Sequence, residues 1–330
     1  MLNIVVIGLG SMGKRRIRLL KEIDNNITIY GVDKNKERCI EAGNKYAIST
    51  FTDLQEVFVN GSLKLNAAII STSPLSHASI ISKCLDAGLH VFTELNLVDN
   101  GYQENIKKAA IKEKTLFLSS TFLYRDEIQY IYKKVKECES LVNYSYHVGQ
   151  YLPDWHPWEN YKDFFVNDKR TNGCRELFAI EFPWLQKIFG KVKSFYSIKG
   201  KTSKLDIDYV DTYHLLLCHE NGNMGSLQLD VVSRKAVRKL EVYSDDIYLT
   251  WNGTPENLKI YNHITRKCEN VNLFNNVYHI DEYNDFIVEN AYQNELLAFL
   301  NEISGKKCAR YNFEEDIETL NLISRIEKVI

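Results

Sequence analysis

At 330 residues the chain exceeds the size at which one hydrophobic core usually stops growing, so two domains are expected. With 45% hydrophobic and 25% charged residues and only five prolines, it has the composition of an ordinary globular protein and leaves little room for disorder. A net charge of -2 offers no basic field to a phosphate backbone, and no window approaches the roughly eighteen apolar residues of a membrane span, so neither nucleic acid nor membrane is expected as a partner.

The seven cysteines are odd in number, widely spaced and never in a C-x-x-C pair, which argues against disulfides and a zinc cluster; no metal site is expected. The first residues, MLNIVVIGLG, show no basic segment leading into a long apolar stretch. A reducing cytoplasm is the expected location.

Asn3 to Gly8 form a run rich in β-branched residues, followed by GLGSMG and then KRRIRLLKEI, whose apolar spacing is helical. This strand, glycine turn and helix match the dinucleotide fingerprint. Gly8 permits the tight reversal, Gly10 lets backbone approach a pyrophosphate, Gly13 lets helix pack on strand, and Ser11 and Met12 bring the first helical N–H groups toward the phosphates. A second strand, Thr28 to Val32, ends on Asp33, 20 residues beyond Gly13, where a carboxylate meets the adenosine ribose. That acid favours NAD over NADP, while Lys34, Lys36 and Arg38 just beyond it could pair with a 2′-phosphate.

Further strands are expected at Ala67 to Ser71, His90 to Thr93 and Thr115 to Ser119, separated by helices around Ile80 to Ala87 and Gln103 to Lys112. Such βα alternation with continuous apolar strands predicts a parallel, doubly wound Rossmann sheet over residues 1–120. Ligands bind beyond the carboxyl ends of its strands, which points to Thr72, Ser73, Pro74, Glu94, Leu95 and Phe122.

These residues resemble the glucose-fructose oxidoreductase and inositol dehydrogenase family, also written Gfo/Idh/MocA. The carriers are VVIGLGSMG, then ISTSPLSHASI, where the family has a threonine, a proline and a histidine (here His77), AGLHVFTELNL, where it has a glycine, a strand and Glu-Lys-Pro, and GQYLPDWHPWENY. ENGNMGSLQLD and RKLEVYSDD are similar to later sheet strands of the family. The resemblance implies a Rossmann domain followed, over 121–330, by an α+β domain with a large, mostly antiparallel sheet, and NAD(P)-dependent chemistry on a sugar or cyclitol carbon. It also implies two departures. Glu94-Leu95-Asn96 replaces Glu-Lys-Pro, and, counting back from Gly190, the family's acid and histidine fall on Glu176 and Ile180. A register one residue away brings in Glu181 instead.

Hydride transfer from an alcohol needs a base for the hydroxyl proton. The candidates are Glu176, with Arg175 or His156 as helper, in a helix whose start is marked by Thr171, Asn172 and Gly173. His156 between Trp155 and Trp158 reads as a sugar-stacking platform or as a packed aromatic corner. Arg125 is placed to hold a carboxylate or phosphate, or to pair with Asp126 or Glu127. His147, Asp154 and Tyr161 complete the expected substrate contacts, and only one of Tyr213 and His214 on the same strand can share their side. Asp206 and Asp208 read as turn residues, and no G-x-S-x-G elbow or Walker loop is present.

The reading is an NAD(P)-dependent oxidoreductase acting on a sugar or nucleotide sugar. Its alternative is a dinucleotide-binding protein of the same fold that is non-catalytic or uses different chemistry, since Leu95 and Ile180 cannot move protons. Strands near 141–149, 192–199, 209–219 and 224–232 should form one sheet with helices on one face, and an apolar uncovered face predicts a homodimer or homotetramer.

Overall fold

The computed structural model describes residues 2–156, 159–274, 277–278 and 286–328. They fall into two compact units: Met1–Thr121 with Tyr292–Ile317, and Phe122–Ala291 with Glu318–Ile330. The first division of the chain falls between Thr121 and Phe122. The return of residues 292–317 to the first unit differs from the reading of 121–330 as one block, and it follows from contacts that no local pattern announces.

The first unit is built on β1 (Asn3–Ile7), α1 (Ser11–Ile23), β2 (Thr28–Val32), α2 (Lys36–Tyr46), β3 (Ser49–Phe51), α3 (Leu54–Val59), β4 (Ala67–Ile70), α4 (His77–Asp86), β5 (His90–Thr93), α5 (Tyr102–Ile111) and β6 (Leu116–Leu118). All six strands run parallel in the order β3-β2-β1-β4-β5-β6. Ile4 to Ile7 and Ala67 to Ile70 are buried because helices lie on both faces, which is why the strands read as unbroken apolar runs. The chain order reverses between β1 and β4, so their carboxyl ends open the crevice where such sheets bind ligands. The sequence reading missed β3 and α3: three strand residues carry too little periodicity to see, and α3 starts only because Asp53 caps it by accepting from the Gln55 N–H.

The second unit contains α6 (Asp126–Lys136), β7 (Asn143–Gly149), α7 (Gly173–Phe189), β8 (Val192–Gly200), β9 (Thr212–His219), β10 (Met224–Asp230), β11 (Val237–Tyr243), β12 (Tyr248–Trp251), β13 (Lys259–Asn262) and β14 (Lys267–Asn270). The chain closes with α8 (Glu289–Ile303) and α9 (Phe313–Lys328). The eight strands form one sheet in the order β14-β13-β12-β11-β7-β10-β9-β8, antiparallel except for the β7–β10 pair. Alternation sorts its faces. Tyr144, Tyr146, Leu215, Leu217, Leu227 and Leu229 turn inward, where Tyr144 stacks on Phe189 of α7 at 4.1 Å and Tyr146 meets Trp184 edge-on at 5.3 Å. Each such fully buried aromatic contributes roughly 2–3 kcal/mol of burial free energy. Their neighbours Tyr196, Ile198, Leu216 and Met224 are exposed on the opposite face.

Candidate functional site

In the first unit, a pocket of about 440 Å³ opens at the carboxyl ends of β1, β2 and β4. Gly8, Gly10, Asp33, Lys34, Thr72 and Ser73 all line it, together with Arg38, Asp53, Ser76, Ser79 and Lys83, which the sequence reading either named only as charges or missed. The glycine turn is built for close approach. Gly8 has φ +93°, and a Cβ on Gly13 would lie 1.8 Å from the Gly8 carbonyl, so a side chain there would drive α1 off β1. A Cβ on Gly10, the N-cap of α1, meets only Arg38 Nη1 at 3.9 Å and would otherwise fill the pocket. Gly10, as the N-cap, has no side chain with which to bond the first N–H groups of α1, which suits a pyrophosphate. Asp33 is held rigid: Oδ2 accepts from the Leu9 N–H at 2.8 Å and Oδ1 from the Asn35 N–H at 2.8 Å. These residues fit a dinucleotide.

Ser11, Met12 and Gly13 form the first turn of α1 and Leu95 is half-buried, but neither Pro74 nor His77 reaches the pocket. His77 is a buried brace: one ring nitrogen lies 2.6 Å from Asn96 Oδ1 and the other 2.9 Å from the Thr72 carbonyl, and burial pushes the ring toward its neutral form. Glu94 is committed to Arg16, which is fully buried in α1 and also reaches Glu295 of α8 at 2.8 Å. Glu295 in turn accepts from the Ser120 N–H at 2.7 Å and the Thr121 hydroxyl at 3.0 Å. Burial works against the charge on Arg16, and the two carboxylates overcome it. Neither Arg16 nor Glu295 was singled out from sequence. The signal for Arg16 is its place three residues after Gly13, on the face of α1 that packs on the sheet.

In the second unit, Asn172 caps α7 by accepting from the Arg175 N–H at 2.8 Å, which sets Glu176 in the first turn. Glu176 is half-buried as a residue, but its Oε2 is shut off from solvent and has no hydrogen-bond partner among the described residues. Burial alone pushes its carboxyl up to about 8. Tyr209 lies near enough to feel that carboxylate, and its hydroxyl is 3.5 Å from the Gly173 N–H. Trp155 packs over Gly173 and donates from its indole N–H to the Gln150 carbonyl at 3.2 Å.

Other expected groups are used differently. Arg175 turns away from Glu176 to pair with Glu327 of α9 and to donate to Ser324 at 3.2 Å. Arg125 is buried, paired with Glu127, and donates to the carbonyls of Gly253 at 2.9 Å and Phe286 at 3.0 Å, so it holds the fold rather than a substrate anion. Glu181 is wholly buried between Arg238, the Tyr146 hydroxyl and the Trp184 indole N–H, which removes it as the alternative acid. His156 stacks on Phe164 at 4.5 Å and lies 3.5 Å from Glu159; Trp158 lies outside the described residues. Asp154 is exposed, the Tyr161 hydroxyl accepts from the Asp206 N–H at 3.3 Å, and Tyr213 is buried while His214 is exposed on the other face. His147 pairs with Asp230 at 2.9 Å.

Residues 2–118 match the oxidoreductase family described as having an NAD-binding Rossmann fold. That match, to the Gfo/Idh/MocA model, covers only the first part of the chain. A 4-carboxy-2-hydroxymuconate-6-semialdehyde dehydrogenase from Sphingobium is 27% identical over 137 residues, which span 41% of this chain and 43% of that protein. The fold extends to the whole chain: a levoglucosan dehydrogenase solved with NADH and L-sorbose superposes with TM-score 0.79 at 13% identity, covering 99% of this chain and 96% of that one. A UDP-N-acetylglucosamine 3-dehydrogenase from Acidithiobacillus ferrooxidans does so with TM-score 0.75 at 16% identity, covering 98% and 96%. The pocket of the first unit lies within the residues that match this NAD-binding model. Among the described residues no helix is long and apolar enough to cross a membrane, no group of ligands could hold a metal ion, and all seven cysteines are free thiols.

Proposed function

We propose that the protein is an NAD-dependent oxidoreductase that interconverts a hydroxyl and a ketone on a sugar or nucleotide sugar. The observation that carries this reading is the unpartnered, desolvated Oε2 of Glu176 at the start of α7. A carboxyl pushed up to about 8 exchanges a proton near neutral pH, which suits an acid or base of hydride-transfer chemistry. The nicotinamide supplies the hydride acceptor or donor. Gly8, Gly10 and the N-terminus of α1 would hold the pyrophosphate, and Asp33 the adenosine ribose, favouring NAD over NADP. Trp155 and Tyr161 would contact the sugar. The substrates named for the levoglucosan and UDP-N-acetylglucosamine dehydrogenases support the substrate class. The free thiols suit a reducing, cytoplasmic setting, and the exposed apolar face of the large sheet suits a homodimer or homotetramer.

The second reading, a dinucleotide binder without turnover, draws on the aliphatic side chains at Leu95 and Ile180. Reduction of NAD monitored at 340 nm (roughly the nicotinamide absorbance band) over a panel of free and nucleotide-linked sugars tests the two. Turnover that Glu176→Gln removes establishes the first. NAD binding with no turnover on any substrate of the panel favours the second.

A further inference from the structure

At the carboxyl ends of β5 and β6, the first unit holds a buried charge cluster that is not neutral. Arg16 Nε donates to Glu94 Oε1 at 2.6 Å and Nη2 to Glu94 Oε2 at 3.0 Å, while Nη2 also donates to Glu295 Oε2 at 2.8 Å. No other basic side chain lies within ion-pair distance of either carboxylate among the described residues. His77 is close enough to Glu94 to feel its charge, but burial pushes the ring toward its neutral form, so it does not supply the missing cation. One guanidinium thus serves two acids. Burial raises the Glu295 carboxyl above its ordinary value, with Glu94 adding to it and Arg16 and the Ser120 N–H opposing. The hydrogen bonds decide its form: Oε1 is held by the Ser120 N–H at 2.7 Å and Oε2 by Arg16 Nη2, two groups that can only donate, as an ionised carboxylate requires. The cluster therefore carries one negative charge in excess.

That charge is turned toward the pocket. The side chains of Arg16 and Glu295 have no exposure, whereas that of Glu94 is 13% exposed. Glu94 Oε1 also accepts from the Ser71 hydroxyl at 3.4 Å, and Ser71, at the end of β4, lines the pocket. The negative end of the cluster is thus one hydrogen bond from the pocket wall, with the guanidinium behind it. On the cofactor reading above, Asp33 at the end of β2 takes the adenosine ribose and the glycine turn after β1 the pyrophosphate. The rest of a dinucleotide then continues along the sheet order past the ends of β4 and β5, the side on which Glu94 stands.

We propose that the cluster of Arg16, Glu94 and Glu295 sets the preference of the site between the two redox forms of its cofactor, its excess negative charge favouring NAD+ over NADH. The inference rests on the cofactor reading above. A nicotinamide ring is positively charged when oxidised and neutral when reduced, so a fixed carboxylate stabilises one form and leaves the other unaffected. Tighter binding of the oxidised form makes bound NADH the stronger hydride donor, toward the ketone of the proposed reaction. Glu94 acts here through its field, and Arg16 and Glu295 hold it in place and leave its charge uncancelled.

The test measures Kd for NAD+ by calorimetry and for NADH by its fluorescence, on the whole native protein and on Glu94→Gln and Glu295→Gln. Each amide keeps the shape and an oxygen for Arg16 while removing one charge. A unit charge acting across about 10 Å through an effective dielectric of about 20 changes an equilibrium roughly tenfold. The ratio of the NAD+ to the NADH Kd should therefore rise by about that factor in Glu94→Gln, and rise also in Glu295→Gln; either variant that folds suffices. An unchanged or lower ratio in a folded variant that binds both forms overturns the proposal alone. Binding of neither form by the native protein removes the cofactor reading and this inference with it. The expected rise in a protein without turnover supports the inference and counts only against the oxidoreductase reading.

Discussion

Arg16 Nε lies 2.6 Å from Glu94 Oε1, and its Nη2 lies 3.0 Å from Oε2 of the same carboxylate. This two-point grip, with Glu295 at 2.8 Å, joins the helix behind the glycine turn, the end of β5 and the returning α8 inside the first unit. Removing a buried partner leaves the other charges uncompensated, which typically costs about 3–5 kcal/mol. Arg16→Met should lower the unfolding free energy of the first unit by that order in urea titration. A loss below about 1 kcal/mol would show that the three groups do not act as one network.

Glu176→Gln keeps shape and removes the titrating group. On the proposed mechanism, turnover should fall roughly 10²-fold or more with NAD affinity nearly unchanged. Full activity in the variant removes Glu176 from the mechanism.

The same residue predicts a pH dependence of stability. A carboxyl raised from 4.5 to about 8 keeps its proton in the folded chain after the unfolded chain has released it. The folded state then binds more protons between those values, so this residue's contribution falls as pH rises from about 4.5 to about 8, by at most about 1.4 kcal/mol per unit. Relative to the native protein, Glu176→Gln should therefore gain stability progressively over that window. Parallel melting temperatures across pH 5 to 9 (roughly bracketing the window) would contradict the desolvation account.

Two glycines of the turn separate binding from folding. Gly10→Val projects into the pocket and meets only Arg38 Nη1 at 3.9 Å, so the protein should fold and lose NAD affinity by calorimetry. Gly13→Ala places a methyl 1.8 Å from the Gly8 carbonyl and should destabilise the first unit itself. Unchanged NAD affinity in the valine variant would remove the glycine turn as the cofactor site. Asp33→Ala should weaken NAD and raise the ratio of NADP to NAD affinity; native preference for NADP would transfer the decision to Lys34 and Arg38.

On the exposed face of the large sheet, Tyr196 pairs in register with Leu216, and Ile198 with His214. A homodimer or homotetramer that buries this face should dissociate when a charge enters it. Ile198→Lys should elute and scatter light as a monomer where the native protein does not. A native monomer at micromolar concentration (order of magnitude of a weak interface) would end this proposal.

The first unit was largely legible in the sequence because its information is local: apolar runs for buried parallel strands, three glycines at fixed offsets, and Asp33 at the ribose distance. Asn172 at the start of α7 was legible for the same reason, since capping involves residues three apart. What only the tertiary structure decided are the partnerships of the charges. Arg16 meets Glu295 across 279 positions, Arg175 meets Glu327 across 152, and Arg125 meets the carbonyl of Phe286 across 161. No periodicity encodes such pairs, so Arg125 and Arg175 read as substrate groups until folding showed their donors in use. Tertiary burial likewise separates Glu176 from Glu181. One keeps a desolvated oxygen without a hydrogen-bond partner among the described residues, while the other is satisfied by Arg238, Tyr146 and Trp184.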